Sequence, residues 1–106
     1  MGKESDFQRK LKEELESTFD GCIVTKLDPT FKQGIPDLLI LYKDRWATLE
    51  CKRNSKASCR PNQVGDKKLN RKGYVDRMNE MSFSRVVYPE NKEEVINELR
   101  IHFSQS

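Results

Sequence analysis

Histidine and cysteine are scarce in this chain of 106 residues, which has one histidine and three cysteines. The cysteines form no Cys-x-x-Cys pair, and their odd number and wide spacing argue against both a disulfide framework and a zinc site. With His102 as the single histidine, nucleophilic catalysis assisted by an imidazole is also disfavoured. A metal-dependent enzyme would therefore need carboxylate ligands, which are typical of Mg²⁺ or Mn²⁺ sites.

Long apolar runs are absent as well. No stretch approaches the roughly 20 apolar residues of a membrane span, and residues 1–6 lack the apolar core of a secretion signal. We therefore expect an intracellular, cytoplasmic protein with no membrane partner. Apolar and charged residues each make up 35% of the chain, which predicts one domain over residues 1–106 with a thin core.

Positive charge is concentrated in residues 51–72. This segment has eight Lys and Arg residues and one acidic residue, a net charge of +7, whereas residues 1–50 and 73–106 each have a net charge of −2. Such density favours a surface that contacts a phosphate backbone through salt-dependent attraction. A solvated loop rich in lysine is the alternative.

Hydrophobic periodicity predicts an α/β fold in which helices pack on a central mixed sheet, with the element order α-β-β-β-α-β-α. The predicted segments are a helix over 4–19, strands over 22–25, 37–42 and 46–52, a helix over 74–81, a strand over 83–88 and a closing helix over 92–103. The second and third strands form a hairpin around a polar turn at 43–45.

The hairpin predicts a cluster of acidic and basic side chains at its open end. Asp37 begins one strand, and Glu50 and Lys52 end the other. Because side chains alternate along a strand, Glu50 and Lys52 share a face and Cys51 points to the other. We expect Asp37 to approach Glu50 and Lys52 if the register places them on a common face. The alternative is an ordinary surface ion-pair cluster.

Two carboxylates and an ammonium beside a basic segment suit the hydrolysis of a phosphodiester, which needs a hard cation that lowers the pKa of a bound water. Asp37, Glu50 and the backbone carbonyl of Cys51 could supply three oxygen ligands. Lys52 could then orient or deprotonate the attacking water, or stabilise the charge on the phosphate.

A motif in this region resembles that of the PD-(D/E)XK nuclease superfamily, and within it the small VRR-NUC and Holliday-junction-resolvase-like nucleases, many of them phage-borne. The motif runs Gly34-Ile35-Pro36-Asp37-Leu38-Leu39-Ile40 and continues as Leu49-Glu50-Cys51-Lys52. The resemblance implies a single nuclease domain with a restriction-endonuclease-like core, in which Asp37 and Glu50 bind the metal and Lys52 is the catalytic lysine. Cys51 replaces the apolar residue common there, which is tolerable because free cysteine behaves as a small hydrophobe.

The resemblance also implies two further catalytic residues. Such nucleases often place a metal-binding glutamate on the first helix; Glu4 fits best, since it shares a stripe with Phe7 and Leu11, and Glu14 is the second choice. Glu4 could instead simply favour the helix dipole. Gln63 matches a glutamine that these enzymes often carry after the Glu-x-Lys strand, although a plain surface amide is an equal alternative.

The residues and the resemblance together predict a Mg²⁺-dependent (or Mn²⁺-dependent) DNA endonuclease acting on branched or structured DNA. The resemblance, and the need of a small domain for two active centres to cut two strands, further imply a homodimer. The alternatives are a DNA-binding module without cleavage and a site-specific restriction or homing-type nuclease of the same fold. Aromatic and basic residues are not interleaved in the sequence, so the sequence does not predict stacking on single-stranded bases. The candidate DNA contacts are the basic residues after the motif, namely Arg53, Lys56, Arg60, Lys67, Lys68, Arg71 and Lys72.

Overall fold

A computed structural model of the chain describes residues 3–57 and 73–105, with side chains described from Ser5 onward. The described elements follow the predicted order, which confirms the α/β fold. They are helix α1 (Lys3–Thr18), strands β1 (Ile23–Lys26), β2 (Leu38–Tyr42) and β3 (Arg45–Cys51), helix α2 (Tyr74–Met81), strand β4 (Ser84–Val87), a 3₁₀ turn (Pro89–Asn91) and helix α3 (Lys92–Ser104).

The four strands form one mixed sheet in the order β1-β2-β3-β4. The first two pairings are antiparallel, and β3 pairs with β4 in parallel. Tyr42 pairs with Arg45, so the hairpin turn has two residues and not the three predicted. Lys43 has a φ of 58°, in the left-handed region that two-residue hairpin turns require. The turn is therefore tight, and it fixes the register of β2 against β3.

One face of the sheet carries the apolar core. Paired residues on neighbouring strands point to the same face, and the centre of this face is apolar, as in the row Val24, Ile40 and Ala47. Helices α1 and α3 cover it with a single cluster of buried side chains. Their contributions to that cluster are Leu11 and Leu15 from α1, Phe19 just after it, and Val95, Ile96, Leu99 and Phe103 from α3.

The opposite face is polar at the centre of β3. Thr48 and Ser84 are fully buried there, and the Thr48 hydroxyl donates a hydrogen bond to Ser84 Oγ at 2.8 Å. The Sδ atom of Met78 on α2 lies 3.9 Å from the same hydroxyl. Helix α2 therefore packs against β3 and β4 on this face. It contacts Thr48 of β3, which lies two residues before Glu50 in the chain.

Element boundaries differ from the predicted ones by a residue or two. Strand β1 begins at Ile23 and not at Cys22, β3 spans Arg45–Cys51 and not 46–52, and Asp37 precedes β2. Gly21, with a φ of 91°, follows the end of α1 as the sequence predicts. No helix among the described residues is both long and apolar enough to span a membrane.

Candidate active site

Asp37 sits at the open end of the β2–β3 hairpin, immediately before β2. Leu38 pairs with Leu49, so one further step in the same register places Asp37 opposite Glu50. The Asp37 carboxylate accepts a hydrogen bond from the backbone N–H of Cys51 at 2.8 Å. This bond holds the carboxylate against the end of β3, as the hairpin geometry predicts.

Glu50, near the end of β3, and Lys52, directly after it, lie on the same side of the sheet. The Nζ atom of Lys52 lies 3.2 Å from Oε2 of Glu50, whose side chain is only 2% exposed. The side chain of Cys51 points the other way and is fully buried in the apolar core. The backbone of Lys52 is fixed too, because its N–H donates to the Val87 carbonyl at 2.8 Å. The structure thus brings Asp37, Glu50 and Lys52 to one end of the sheet.

Burial raises the pKa of the Asp37 carboxyl above its ordinary value. The hydrogen bond from the Cys51 N–H and the positive charges of Lys52 and Lys26 lower it, but burial prevails. Two carboxylates, one partly and one almost fully buried, lie at one strand end, where little water can solvate their negative charge. A bound cation would balance that charge, and it would favour the ionised form of Asp37.

The donor set fits a hard divalent cation. Mg²⁺ is usually held by one or two carboxylates together with waters and substrate oxygens, and Asp37 and Glu50 supply the two. Among the described side chains, no group of three or more His, Cys, Asp and Glu residues could hold a metal ion. Further protein oxygens would therefore come from the Cys51 carbonyl or from Glu4, whose side chain lies outside the described part.

The first turns of α1 lie near this end of the sheet. Ser5 and Gln8 line a shallow cleft together with Lys26 and Leu38, which flank the base of the loop before Asp37. Glu4 immediately precedes this segment of α1. Glu14, the second choice for the helix ligand, is ten residues or about 15 Å further along the helix. Its Oε1 accepts a hydrogen bond from Lys92 Nζ at 2.8 Å, which ties α1 to the start of α3.

Exposed basic residues follow the site along the chain. Arg53 and Lys56 are both solvent-exposed, and the Lys56 N–H donates to Asn54 Oδ1 at 2.9 Å in a local turn. Positive charge therefore continues outward from Lys52. The remaining predicted site residues lie outside the described part of the chain, and these are Gln63, Arg60, Lys67, Lys68, Arg71 and Lys72.

Sequence reasoning missed a second group of residues, on the loop that leads to Asp37 and on α2. Phe31 is 90% exposed in the loop between β1 and β2. The next residue, Lys32, places its ammonium 5.7 Å from the centre of the Tyr74 ring, and the Arg77 guanidinium lies 5.4 Å from the same ring. The signal in the sequence was a phenylalanine inside a stretch of turn-forming polar residues, where no apolar periodicity explains it.

The fold matches that of a solved structure described as "VRR_NUC domain". The two share a TM-score of 0.65 and 23% sequence identity, over 90% of this chain and 95% of that chain. The resemblance to VRR-NUC proteins stated from the motif is thus confirmed at the level of the fold. No protein-family model matches the sequence, and no curated protein matches it.

Proposed function

We propose that the chain is a metal-dependent endonuclease that hydrolyses phosphodiester bonds in DNA. The observation that carries the proposal is the meeting of Asp37, Glu50 and Lys52 at the open end of the β2–β3 hairpin. The VRR_NUC fold supports a nuclease-type function, and the exposed positive charge after Lys52 suits a polyanionic substrate.

Asp37, Glu50, the Cys51 carbonyl and Glu4 are the groups proposed to hold Mg²⁺ or Mn²⁺. When bound, the ion would lower the pKa of a water molecule and neutralise charge on the phosphate. Lys52 is proposed to orient or deprotonate that water, or to stabilise the developing negative charge. Its contact with Glu50 keeps the ammonium beside the carboxylates, and Gln63 is proposed to act near the scissile phosphate.

The finer parts of the proposal concern the substrate and the assembly. We propose branched or otherwise structured DNA, as in Holliday-junction resolution, because recognition through the backbone is tolerant of sequence. A homodimer would bring together two active centres for two strands. An intracellular role in recombination, repair or phage genome handling is proposed on the same basis.

The decisive experiment offers the protein a four-way junction, a flap, a linear duplex and a single strand, first with Mg²⁺ and then with Ca²⁺. We expect cleavage of branched DNA in Mg²⁺. Lys52→Ala, together with Lys52→Met, which retains the aliphatic stem, should abolish cleavage and retain DNA binding, because the ammonium acts in the transition state. Arg100→Gln removes a charge from the exposed surface of α3 and is the matched control.

Each result distinguishes the proposal from its rivals. DNA binding without cleavage under any divalent ion would favour a binding module without catalysis. Cleavage confined to one duplex sequence would favour a restriction or homing-type enzyme. Comparable turnover in both Lys52 variants would remove this lysine from the mechanism. Calorimetric binding of Mg²⁺ or Ca²⁺ that is lost in Glu50→Ala would support the metal site independently of activity.

A further inference from the structure

Phe31 is the most exposed large apolar residue in the described part of the chain, with 90% of its surface accessible. Isolated apolar residues at a protein surface are common, so exposure alone does not assign a role. Two further features distinguish Phe31, namely the constraints on the loop that carries it and the cations of this loop and of α2 that meet at Tyr74.

The loop that carries Phe31 is closed at its base by the active site. The N–H of Leu27 donates to the carbonyl of Asp37 at 2.8 Å, so the two ends of the loop meet at the proposed metal ligand. Within the loop, Oδ1 of Asp28 accepts hydrogen bonds from the N–H and the hydroxyl of Thr30, at 2.9 and 2.7 Å. The N–H of Phe31 donates to the Asp28 carbonyl at 3.2 Å. These bonds present the phenyl ring from an ordered turn.

One cation follows Phe31 in this turn, and a second lies on α2. Lys32 and Arg77 both lie near the ring of Tyr74, at 5.7 and 5.4 Å from its centre. Tyr74 is the first residue of α2, the helix whose Met78 lies against Thr48 of β3, two residues before Glu50. The acidic neighbours are Asp28, whose carboxylate is engaged by Thr30, and the exposed Asp76. An exposed aromatic ring followed by a lysine, which shares a tyrosine ring with an arginine of α2, suits a nucleic-acid strand better than an apolar protein surface.

We infer that Phe31 stacks on an unpaired base of the DNA substrate while Lys32 and Arg77 contact the adjoining phosphates. This inference rests on the proposed nuclease function and deepens it, because it gives a physical source for a preference for branched DNA. Bases at a branch or flap are exposed to an aromatic ring, whereas those of an intact duplex are stacked on each other. The phenyl ring at the loop tip therefore selects DNA structure, and the carboxylates at the loop base lie beside the strand to be cut.

The test compares DNA binding by Phe31→Ala with that of the wild type in Ca²⁺, using a flap duplex and a fully paired duplex of equal length. We expect Phe31→Ala to weaken flap binding about tenfold, the loss typical of one stacked base, and to change duplex binding less than twofold. Phe31→Trp should retain flap binding. Met81→Ala removes another exposed apolar side chain, 69% accessible at the end of α2, and should leave both affinities unchanged.

A fluorescent base reports the contact directly. With 2-aminopurine at the unpaired position of the flap, wild-type protein and Phe31→Trp should quench the fluorescence, and Phe31→Ala should not. Replacing both Lys32 and Arg77 by Gln should lower the slope of log affinity against log salt by about two phosphate contacts. This second variant tests the charged part of the inference without altering Phe31.

The outcomes separate the inference from the function on which it rests. If the wild type binds and cleaves branched DNA but Phe31→Ala behaves like it, only the inference on Phe31 is overturned. Equal losses on flap and duplex overturn it as well. If Phe31→Ala changes the sedimentation of the protein and not its DNA affinity, the ring serves a protein interface and the inference is wrong. If the wild type binds no DNA, both proposals fail.

Discussion

At the scale of single residues, Asp37 shows how a partly buried carboxylate opposes the stability of the fold that contains it. Burial raises the pKa of this carboxyl above its ordinary value of 3.8, in spite of the Cys51 N–H and two lysines that favour ionisation. The native state therefore binds a proton more readily than the unfolded chain does. By linkage, stability falls as the pH rises from about the unfolded pKa through the native pKa.

Replacing Asp37 by Asn should consequently stabilise the protein in the absence of divalent ions. We expect Asp37→Asn to raise the melting temperature in EDTA at pH 7, because the amide needs no ionisation and can still accept the Cys51 N–H. The gain should diminish as the pH falls and the wild-type carboxyl becomes protonated in both states. Thermal unfolding of both proteins between pH 3 and pH 7 provides the measurement.

Asp28 supplies a control of opposite sign. Hydrogen bonds from the side chain and backbone of Thr30 lower the pKa of Asp28, so its ionised form is favoured in the native state. Asp28→Asn should give no gain in melting temperature at any pH. A lower melting temperature for Asp37→Asn than for the wild type at pH 7 would contradict the prediction.

At the scale of elements, the buried hydroxyl pair Thr48 and Ser84 joins β3 to β4, and α2 packs beside it. Ser84→Ala leaves the Thr48 hydroxyl buried without its 2.8 Å acceptor, and we expect a loss of about 1–2 kcal/mol in the free energy of unfolding. The double variant Thr48→Val with Ser84→Ala removes both polar groups, so it should lose less than the sum of the two single variants. Urea denaturation measures all three.

Ser104→Ala is the matched control, because this serine is exposed at the end of α3 and donates only to the carbonyl of Ile101. It should change the unfolding free energy by less than about 0.5 kcal/mol. Strict additivity of the Thr48 and Ser84 substitutions would show that their hydroxyls do not interact in solution.

The elements also show what the sequence could predict. Their types and order follow from apolar periodicity, and the meeting of Asp37 with the end of β3 follows from the position of the turn, because a short hairpin leaves few registers. Boundaries were less accurate since they depend on single hydrogen bonds, such as the Tyr42–Arg45 pairing that shortens the turn. The position of Phe31 could not be predicted, because exposure is set by the path of a loop and leaves no periodic pattern.

At the scale of the whole molecule, the apolar core and the charged candidate site lie in different parts of the sheet. Helices α1 and α3 cover one face with the apolar core, while Asp37, Glu50 and Lys52 lie at the end of the sheet from which the chain enters its basic segment. The segment with the highest net positive charge, residues 51–72 at +7, therefore begins beside these three residues.

The concentration of positive charge in residues 51–72 predicts the salt dependence of DNA binding. We expect replacement of Lys67 and Lys68 by Ala to reduce the slope of log affinity against log salt by about one to two phosphate contacts. Replacing Lys43 by Asn and Arg100 by Gln removes the same charge from the hairpin turn and from α3, and it should leave the slope unchanged. Equal slopes for the two double variants would show that Lys67 and Lys68 face solvent.

The burial of Glu50 beside Lys52 has a consequence for how such a chain can change in evolution. Loss of the lysine alone would remove the cation that lies 3.2 Å from a carboxylate that is 2% exposed, and we expect this to lower the stability of the fold without unfolding it. Loss of the glutamate, by contrast, leaves an ammonium on a flexible stem that can turn toward water. Related proteins that keep the fold but have lost catalysis should therefore have lost Glu50 before Lys52. Relatives that retain the glutamate with a neutral residue in place of the lysine should be rare.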